Sequence, residues 1–224
     1  NKLLLEGIDV QKRFLPLLKE RSGEASSTAA EENAQLEIFG YYKGAKGVSG
    51  DYFDFKRLDD TYYALIKCDV SGKGVPAALF MAKLGSDLRT LAFTEKDPAA
   101  ALASLNNMLV ERSRRGMFAT VLYLELDAAK GQIVLSNAGH LPPLVRSANG
   151  AVSKLSAAGA PPLGILAGMQ FGLCQMISFR ITHPSFSIAS AIRHGIPNKH
   201  FGVVFLWGFA VLYIEPATFF LREL

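Results

Sequence analysis

The sequence predicts an α+β domain in which a β-sheet core packs against helices on its outside. The chain has 224 residues, half of them hydrophobic, which is enough for one sizeable core and excludes a disordered chain. Segments rich in aromatic and branched residues come before and after two adjacent amphipathic helices. That order is typical of a sheet with helices packed against it.

Strands are predicted wherever such segments end at turn-forming residues. The longer ones are 36–42, 61–68, 118–126 and 132–136, and two short ones, 143–146 and 151–155, flank a further turn. The connection 44–54 between the first two strands is dense in glycine. The spacing of the segments 118–126 and 132–136 around a short turn predicts a hairpin.

The helices are predicted at 76–93 and 98–115. Pro76 suits a first helical position, and Leu84, Leu88 and Leu91 form an apolar stripe. Asp97 and Pro98 provide an N-cap acid and an N1 proline for the second helix. The arginines near residue 115 lie at the negative end of that helix dipole, which explains them without a ligand.

Composition divides the chain into three segments: 1–35, 36–170 and 171–224. Residues 3–19 predict an amphipathic helix that Pro16 kinks or ends, and 21–35 reads as a linker. This helix is either an ordinary surface helix or a signalling linker from a sensor region. Segment 171–224 has only six charged residues, and its uncharged run of 14 at 201–214 is shorter than the roughly 20 residues of a spanning helix.

The run 201–214 therefore predicts a buried strand pair or core helix rather than a membrane span, with an interfacial segment as the alternative. The formal charge of +4 is scattered, and no basic and aromatic stripe argues for nucleic acid. Cys68 and Cys174 lack ligand-like spacing, which predicts a reduced, cytoplasmic protein. The first residue is Asn rather than Met, which predicts a fragment of a longer product without a signal peptide.

Two acidic segments are the candidates for chemistry. Asp51 lies in GDYFDF, and Asp69 ends an apolar strand at the glycine-rich turn of CDVSGKG. Carboxylates suit hard cations such as Mg²⁺ and Mn²⁺. If they converged without a cation or a proton, they would repel by about 4 kcal/mol at 4 Å separation and an effective dielectric near 20. The alternative is that both are turn residues that accept local backbone hydrogen bonds.

Two further motifs are weaker. The segment SGKG lacks the Ser or Thr after the lysine, and the glycine five residues before it, that a phosphate-binding loop needs. His140 in NAGH is either a general acid or ligand, or a turn histidine before two prolines. The later histidines have irregular spacing, which argues against zinc.

Five motifs in order resemble the bacterial RsbU and stage II sporulation protein E phosphatases of the type 2C superfamily. They are VSGDYFDF, CDVSGKGVPAALFMA, MFATVLYLELD, SNAGHLPPLV and PPLGIL. The resemblance covers about residues 36–166, and IDVQKRFLPL resembles the linker helix that precedes this domain in relatives. It implies an α/β sandwich of two antiparallel β-sheets packed together with helices outside, here the helices 76–93 and 98–115.

The same resemblance implies a metal-dependent serine/threonine protein phosphatase. Asp51, Asp69 and the backbone carbonyl of Val70 would be ligands of two Mn²⁺ or Mg²⁺ ions, and Asp69 would bridge them. The ions would activate a water that attacks a phosphoserine or phosphothreonine. The implied partners are a phosphorylated regulatory protein of the anti-sigma-factor-antagonist type and an upstream sensor domain. A homodimer through the N-terminal helix, and a place in the cytoplasmic part of a membrane-bound sensor, are further options.

The resemblance ends near residue 171. The family pattern continues with two more ligand aspartates, but no aspartate follows Gln170 in this chain. The second ion is therefore expected to bind weakly or not at all. Three interpretations follow: an active phosphatase, an impaired phosphatase-like binding module or frameshifted product, and a membrane-associated protein. Segment 171–224 is expected to pack irregularly against the domain.

Overall fold

The computed structural model describes residues 2–15, 19–20, 26–33, 36–43, 48–95, 97–112, 116–146, 151–155, 160–178, 187–191, 203–206, 211–215 and 218–222. The helices are α1 (Lys2–Lys12), α2 (Gly74–Thr94) and α3 (Pro98–Arg112). The strands are β1 (Lys19–Glu20), β2 (Ser26–Asn33), β3 (Leu36–Lys43), β4 (Asp51–Arg57), β5 (Tyr62–Val70), β6 (Ala119–Asp127), β7 (Gln132–Ala138), β8 (Leu144–Arg146), β9 (Val152–Lys154), β10 (Leu173–Ser178), β11 (Ser187–Ala191), β12 (Val203–Leu206), β13 (Val211–Glu215) and β14 (Thr218–Arg222).

A five-stranded antiparallel sheet in the order β10-β7-β6-β5-β4 carries most of the described core. Strands β5 and β6 lie at its centre and are buried on both faces, which is why their sequences are nearly continuous apolar runs. Tyr52, Tyr63 and Tyr123 are among its fully buried large side chains. The predicted hairpin is β6–β7, with Asp127 paired to Gln132 across its turn.

Helices α2 and α3 cover one face of this sheet and contact β4, β5, β6 and β7. Leu84, Leu88, Leu102 and Leu105 are fully buried, so the stripe predicted from the sequence is the packing face. Gly85 on α2 lies so close to β4 that an added Cβ would be 2.7 Å from the Tyr52 ring. Because side chains alternate along a strand, Tyr52 and Asp54 face the helices, whereas Asp51 and Phe53 face the opposite side.

A seven-stranded antiparallel sheet has the order β1-β2-β3-β12-β11-β8-β9, and β13 pairs with β14 in a separate ribbon. Strands from all three sequence segments meet in the seven-stranded sheet. The predicted combination of two antiparallel sheets with helices on an outer face is therefore confirmed. The boundaries at 35 and 170 stay predictions.

The N-terminal half departs from the sequence predictions in three places. Helix α1 ends at Lys12, before Pro16. The segment 26–33, predicted as a linker, forms β2 and pairs along its whole length with β3. Strand β4 begins inside the stretch 44–54 that was assigned to a glycine-rich connection. In β2 and β4, hydrogen bonding to a neighbouring strand compensates for the weak preference of the local sequence for strand structure.

The expectation that 171–224 packs irregularly is wrong for three of its strands. Strand β10 pairs with β7, with a register shift between Cys174 and Ile177, and β11 and β12 pair with β8, with β3 and with each other. Of the run 201–214, the described residues 203–206 form β12 and the described residues 211–214 belong to β13, and these two strands do not pair with each other. Within the described residues, no helix combines the length and apolarity needed to cross a bilayer.

Candidate metal centre

Asp51 and Asp69 are direct cross-strand partners in the β4–β5 ladder, so their side chains project from the same face. The Val70 amide donates a hydrogen bond to the Gly50 carbonyl at 3.2 Å, which makes Gly50 and Val70 a hydrogen-bonded pair. In an antiparallel ladder the next pair is then non-hydrogen-bonded, with Cα atoms about 4.5 Å apart and side chains closer than in the alternate pair. The two aspartates occupy that position, and both are only partly buried.

These two residues are strand residues rather than members of the glycine-rich turns that flank them. Asp51 begins β4, and Asp69 is the penultimate residue of β5, before Gly72 reverses the chain with φ 95°. The interpretation that they serve as turn residues is therefore wrong. Two partly buried carboxylates held side by side at one end of a ladder form a candidate site for a cation.

The Val70 carbonyl lies at the same end of the ladder and faces Gly50. An added Cβ at residue 50 would lie 2.7 Å from the Val70 oxygen and 3.3 Å from the Ala77 Cβ. A side chain at this position would push apart β5 and the start of α2. Gly50 therefore sets the approach of the Val70 carbonyl, and Val70 as a metal ligand stays a prediction.

Helix α1 is attached to this end of the sheet through Gln11, which is buried. Its side-chain amide donates to the Ser49 carbonyl, and its Oε1 accepts from the Ser49 amide at 2.9 Å. The Ser49 hydroxyl donates to Asp51 Oδ2 at 2.9 Å and accepts from the Asp51 amide at 3.1 Å. The helix predicted as a linker thus fixes Ser49 in place, and Ser49 in turn orients the Asp51 carboxylate.

Lys67 comes two residues before Asp69 on β5, so its side chain lies on the same face of the sheet. It is buried among β4, β5 and β6. Its pKa is lowered to about 8 because burial disfavours the charged ammonium, while the charges of Asp51 and Asp69 act in the opposite direction. A buried ammonium group accompanies the carboxylate pair.

His140 closes the β6 side of the site. Thr120, the cross-strand partner of Asp69, shares a hydrogen bond of 2.8 Å between its Oγ1 and His140 Nδ1. Asn137 holds the His140 backbone by accepting from its amide at 2.7 Å and donating to its carbonyl at 3.0 Å. Among the buried side-chain polar atoms of the described residues, His140 Nε2 is the one without a hydrogen-bond partner.

The environment of His140 predicts acid sensitivity. Burial and the charge of Lys67 lower its pKa from 6.5 to about 3, against a smaller opposite effect of Asp51. The unfolded state therefore binds the proton first, and the free energy of unfolding should fall as the pH decreases from 6.5 toward 3. Urea unfolding at several pH values in this range measures the effect. The slope of the free energy of unfolding against pH should correspond to up to one more proton bound on unfolding in the unaltered chain than in His140→Gln. Equal slopes would contradict the prediction.

A second acidic group lies on the helix-facing side and is structural. The Asp54 carboxylate is buried, accepts from Arg89 Nε and, at 3.1 Å, from Arg89 Nη2 on α2, and accepts from the Tyr52 hydroxyl at 2.8 Å. Burial and the neighbouring Asp54 carboxylate raise the pKa of Tyr52, which stays protonated. The motif GDYFDF therefore places its two aspartates on opposite faces: Asp51 toward the candidate site and Asp54 toward α2.

The donor chemistry of the paired aspartates fits a hard divalent cation, because carboxylate oxygens are the preferred ligands of Mg²⁺ and Mn²⁺. Within the part of the chain that the structure describes, no set of three or more His, Cys, Asp and Glu side chains is placed to hold a metal. The pair offers two carboxylates to a cation. A complete two-ion centre is not present among these residues.

Sequence reasoning found Asp51, Asp69 and His140 but missed Lys67, Thr120 and Gln11. A lysine within an otherwise apolar strand was a usable signal, because a central strand rarely contains a charge without a partner. The other two could not be found. Their roles depend on contacts between residues 20 or more positions apart in the chain.

Two solved structures share the fold. The SiaA-PP2C domain of Pseudomonas aeruginosa matches with a TM-score of 0.68 at 16% identity, over 93% of this chain and 96% of that one. RsbX in complex with magnesium matches with a TM-score of 0.63 at 14% identity, over 80% of this chain and 98% of that one. At this identity the likeness establishes the fold, which is the α/β sandwich of two sheets predicted from the sequence.

Sequence comparison assigns the family. "Phosphoserine phosphatase RsbP" of Bacillus subtilis (strain 168) is 30% identical over 166 residues, covering 71% of this chain and 40% of that protein. The chain spans less than half of the length of the curated relatives it matches. The family model for stage II sporulation protein E (SpoIIE) matches residues 59–176, more than half of the chain. The chain therefore belongs to the stage II sporulation protein E family, as its ordered motifs predicted.

Proposed function

We propose that this chain is a serine/threonine protein phosphatase domain that uses a divalent cation to hydrolyse phosphoserine or phosphothreonine on a regulatory protein. The observation that carries the proposal is the cross-strand pair of Asp51 and Asp69 in a domain whose family includes a phosphoserine phosphatase. The pair lies at the solvent-reachable end of the β4–β5 ladder, where a substrate can approach.

The proposed cation is Mn²⁺ or Mg²⁺, held by Asp51 and Asp69, with the Val70 carbonyl as a further candidate ligand. When bound, such an ion supplies Lewis acidity, which lowers the pKa of water and neutralises charge on the phosphoryl group. Phosphomonoester hydrolysis is among the slowest uncatalysed reactions, so electrostatic help of this kind is required. One ion is favoured over two, because the described donors amount to one pair of carboxylates.

The other residues of the site position this pair. Ser49 fixes one oxygen of the Asp51 carboxylate, and Gln11 fixes Ser49 from α1. Thr120, the cross-strand partner of Asp69, anchors His140, and the neutral imidazole adds no positive charge to the site. Gln11 and Ser49 limit the motion of the Asp51 carboxylate, so less ordering entropy is lost when a cation binds.

The biological setting is part of the proposal. The substrate is a phosphorylated protein of the anti-sigma-factor-antagonist type, and helix α1 links the domain to an upstream sensor domain or to a second copy of the chain. The location is cytoplasmic, as in the cytoplasmic portion of a sensor. The relatives' names and the attachment of α1 to Ser49 support this assignment, and nothing favours a nucleic-acid partner.

A second candidate is a phosphatase-like binding module with impaired catalysis. Two observations favour it: the described residues contain no three-ligand set, and no aspartate follows residue 170. In this case β10 in the five-stranded sheet and β11 and β12 in the seven-stranded sheet preserve the fold without completing the site. The two candidates differ in turnover and agree in fold.

Metal removal distinguishes them. A phosphoserine peptide is incubated with the chain in excess Mn²⁺, and phosphate release is measured before and after chelation. We expect turnover that EDTA abolishes and added Mn²⁺ restores, because the ion supplies the Lewis acidity of the site. Absence of phosphate release at millimolar Mn²⁺ would contradict the phosphatase proposal and leave the binding module. Turnover that survives chelation would contradict the role of the metal.

A further inference from the structure

Lys67 is the feature of the site that the proposed function leaves unexplained. Only 3% of its surface is exposed, and it sits between Phe53 on β4 and Leu122 on β6 as their cross-strand partner. Both neighbours are buried hydrophobic residues. A side chain so enclosed cannot reach the phosphate of a protein substrate, so its charge must be compensated within the chain.

The carboxylates available for this compensation are few. Side chains on the Lys67 face of the five-stranded sheet come from alternate residues of each strand. Among the described residues of β4, β5, β6 and β7 on this face, the acidic ones are Asp51 and Asp69. Asp54 and Glu125 belong to the opposite face, as the contacts of Asp54 with α2 show.

The distances suit an interaction. Residues two apart on a strand are about 6.6 Å apart at Cα, which a lysine side chain can span. Asp69 is two residues from Lys67, and Asp51 is the cross-strand partner of Asp69. A buried ammonium is costly unless it is paired, and Asp51 and Asp69 are the carboxylates that the β4–β5 ladder places within reach of Lys67.

We propose that the ammonium group of Lys67 is a built-in counter-cation for the Asp51–Asp69 pair and limits the affinity of that pair for a divalent cation. The inference rests on the cation site of the proposed function and adds a regulatory charge to it. With Lys67 in place the three side chains carry a net charge of about −1 rather than −2. An incoming dication must then share the carboxylates with the ammonium group.

Mn²⁺ affinity measured by calorimetry tests the inference. Lys67→Met replaces the ammonium with an apolar group of similar length. If the ammonium group lies about as far from the bound dication as the two Cα atoms lie from each other, about 6.6 Å, its repulsion weakens binding roughly tenfold even at the dielectric constant of water. Lys67→Met should then bind Mn²⁺ about tenfold more tightly than the unaltered chain. Lys83→Met is the matched control, because Lys83 is an exposed partner of Asp87 on α2 and should leave the affinity unchanged.

A second measurement does not depend on a variant that folds. In the unaltered chain, the ¹³Cε resonance of Lys67 should shift as Mg²⁺ saturates the site, because the cation takes over the carboxylates that the ammonium group engages. An unchanged resonance at saturation would overturn the inference. So would Lys67→Met with unchanged or weaker Mn²⁺ affinity, or with no binding in either protein.

A failure of the Lys67 proposal can be distinguished from a failure of the proposed function. If Asp51→Asn and Asp69→Asn weaken Mn²⁺ binding but Lys67→Met leaves it unchanged, the role of Lys67 falls and the proposed function stands. If neither aspartate variant changes Mn²⁺ binding, the cation site is misplaced, and both proposals fall.

Discussion

Asp69→Asn is expected to lower the turnover number for a phosphoserine substrate by at least about a thousandfold at saturating Mn²⁺. Asparagine has the shape of aspartate but lacks the charge that holds a cation. The loss of a Lewis acid removes several kcal/mol of transition-state stabilisation, and each 1.4 kcal/mol is a factor of about ten.

The matched control is Asp60→Asn. Asp60 lies in the loop between β4 and β5 with a side chain that is 98% exposed, so this variant makes the same change of charge on the same pair of strands, away from the site. Its turnover should equal that of the unaltered chain. If Asp69→Asn retained more than a tenth of the activity, the placement of the reaction at the Asp51–Asp69 pair would be wrong.

Arg89→Met should lower the free energy of unfolding by about 3 kcal/mol, since loss of one partner leaves a buried charge uncompensated. The Asp54 side chain is 3% exposed and loses both of its hydrogen bonds from the guanidinium. It keeps those from the Tyr52 hydroxyl and the Phe55 amide, so the effect stays below the extreme for an isolated buried charge. Urea unfolding monitored by circular dichroism measures it.

Arg57→Met provides the comparison for that measurement. Arg57 pairs with the exposed Asp60, and exposed ion pairs contribute about 0–1 kcal/mol. A similar loss of stability in both variants would mean that burial of Asp54 does not determine the effect. Arg89 lies on the helix side of the sheet, and Arg57 lies at the end of β4 away from Asp51, so Mn²⁺ affinity should be unchanged in both variants.

The sequence predicted the parts of the fold whose signals are local. The leucine stripe of α2 and the Asp97-Pro98 start of α3 depend on spacing within a few residues, and both helices appear with their ends shifted by no more than three residues within the described chain. Strand β5 was predicted because it is almost entirely apolar. Strand β2, with the sequence SSTAAEEN, has no such signal, and its structure comes from pairing with β3.

The sequence identified the acidic residues of the site but not how they are arranged in space. Asp51 and Asp69 were found by their residue type and their glycine-rich surroundings. That they are direct partners depends on the β4–β5 register, which a one-residue slip would have destroyed by turning one carboxylate to the other face. Lys67 was missed although it lies two residues before Asp69, a spacing that places both side chains on the same face of β5.

For segment 171–224, the sequence predicted too little structure. Its lack of charge and of aspartate suggested a segment that could not complete the domain, yet β10 extends the five-stranded sheet and β11 and β12 enter the seven-stranded one. Backbone hydrogen bonds form with any side chain that fits a pleated surface, so a sheet tolerates a change of sequence that a metal centre does not. The described strands of this segment thus form although it contains no aspartate.

The most direct test of the account is a crystal of the chain grown with Mn²⁺, with diffraction measured at the manganese absorption edge. The account predicts an anomalous peak between the carboxylates of Asp51 and Asp69, within coordination distance of an oxygen from each, and its loss in Asp51→Asn. A peak elsewhere on the chain, or none at millimolar Mn²⁺, would contradict the claim that this cross-strand pair is the metal centre.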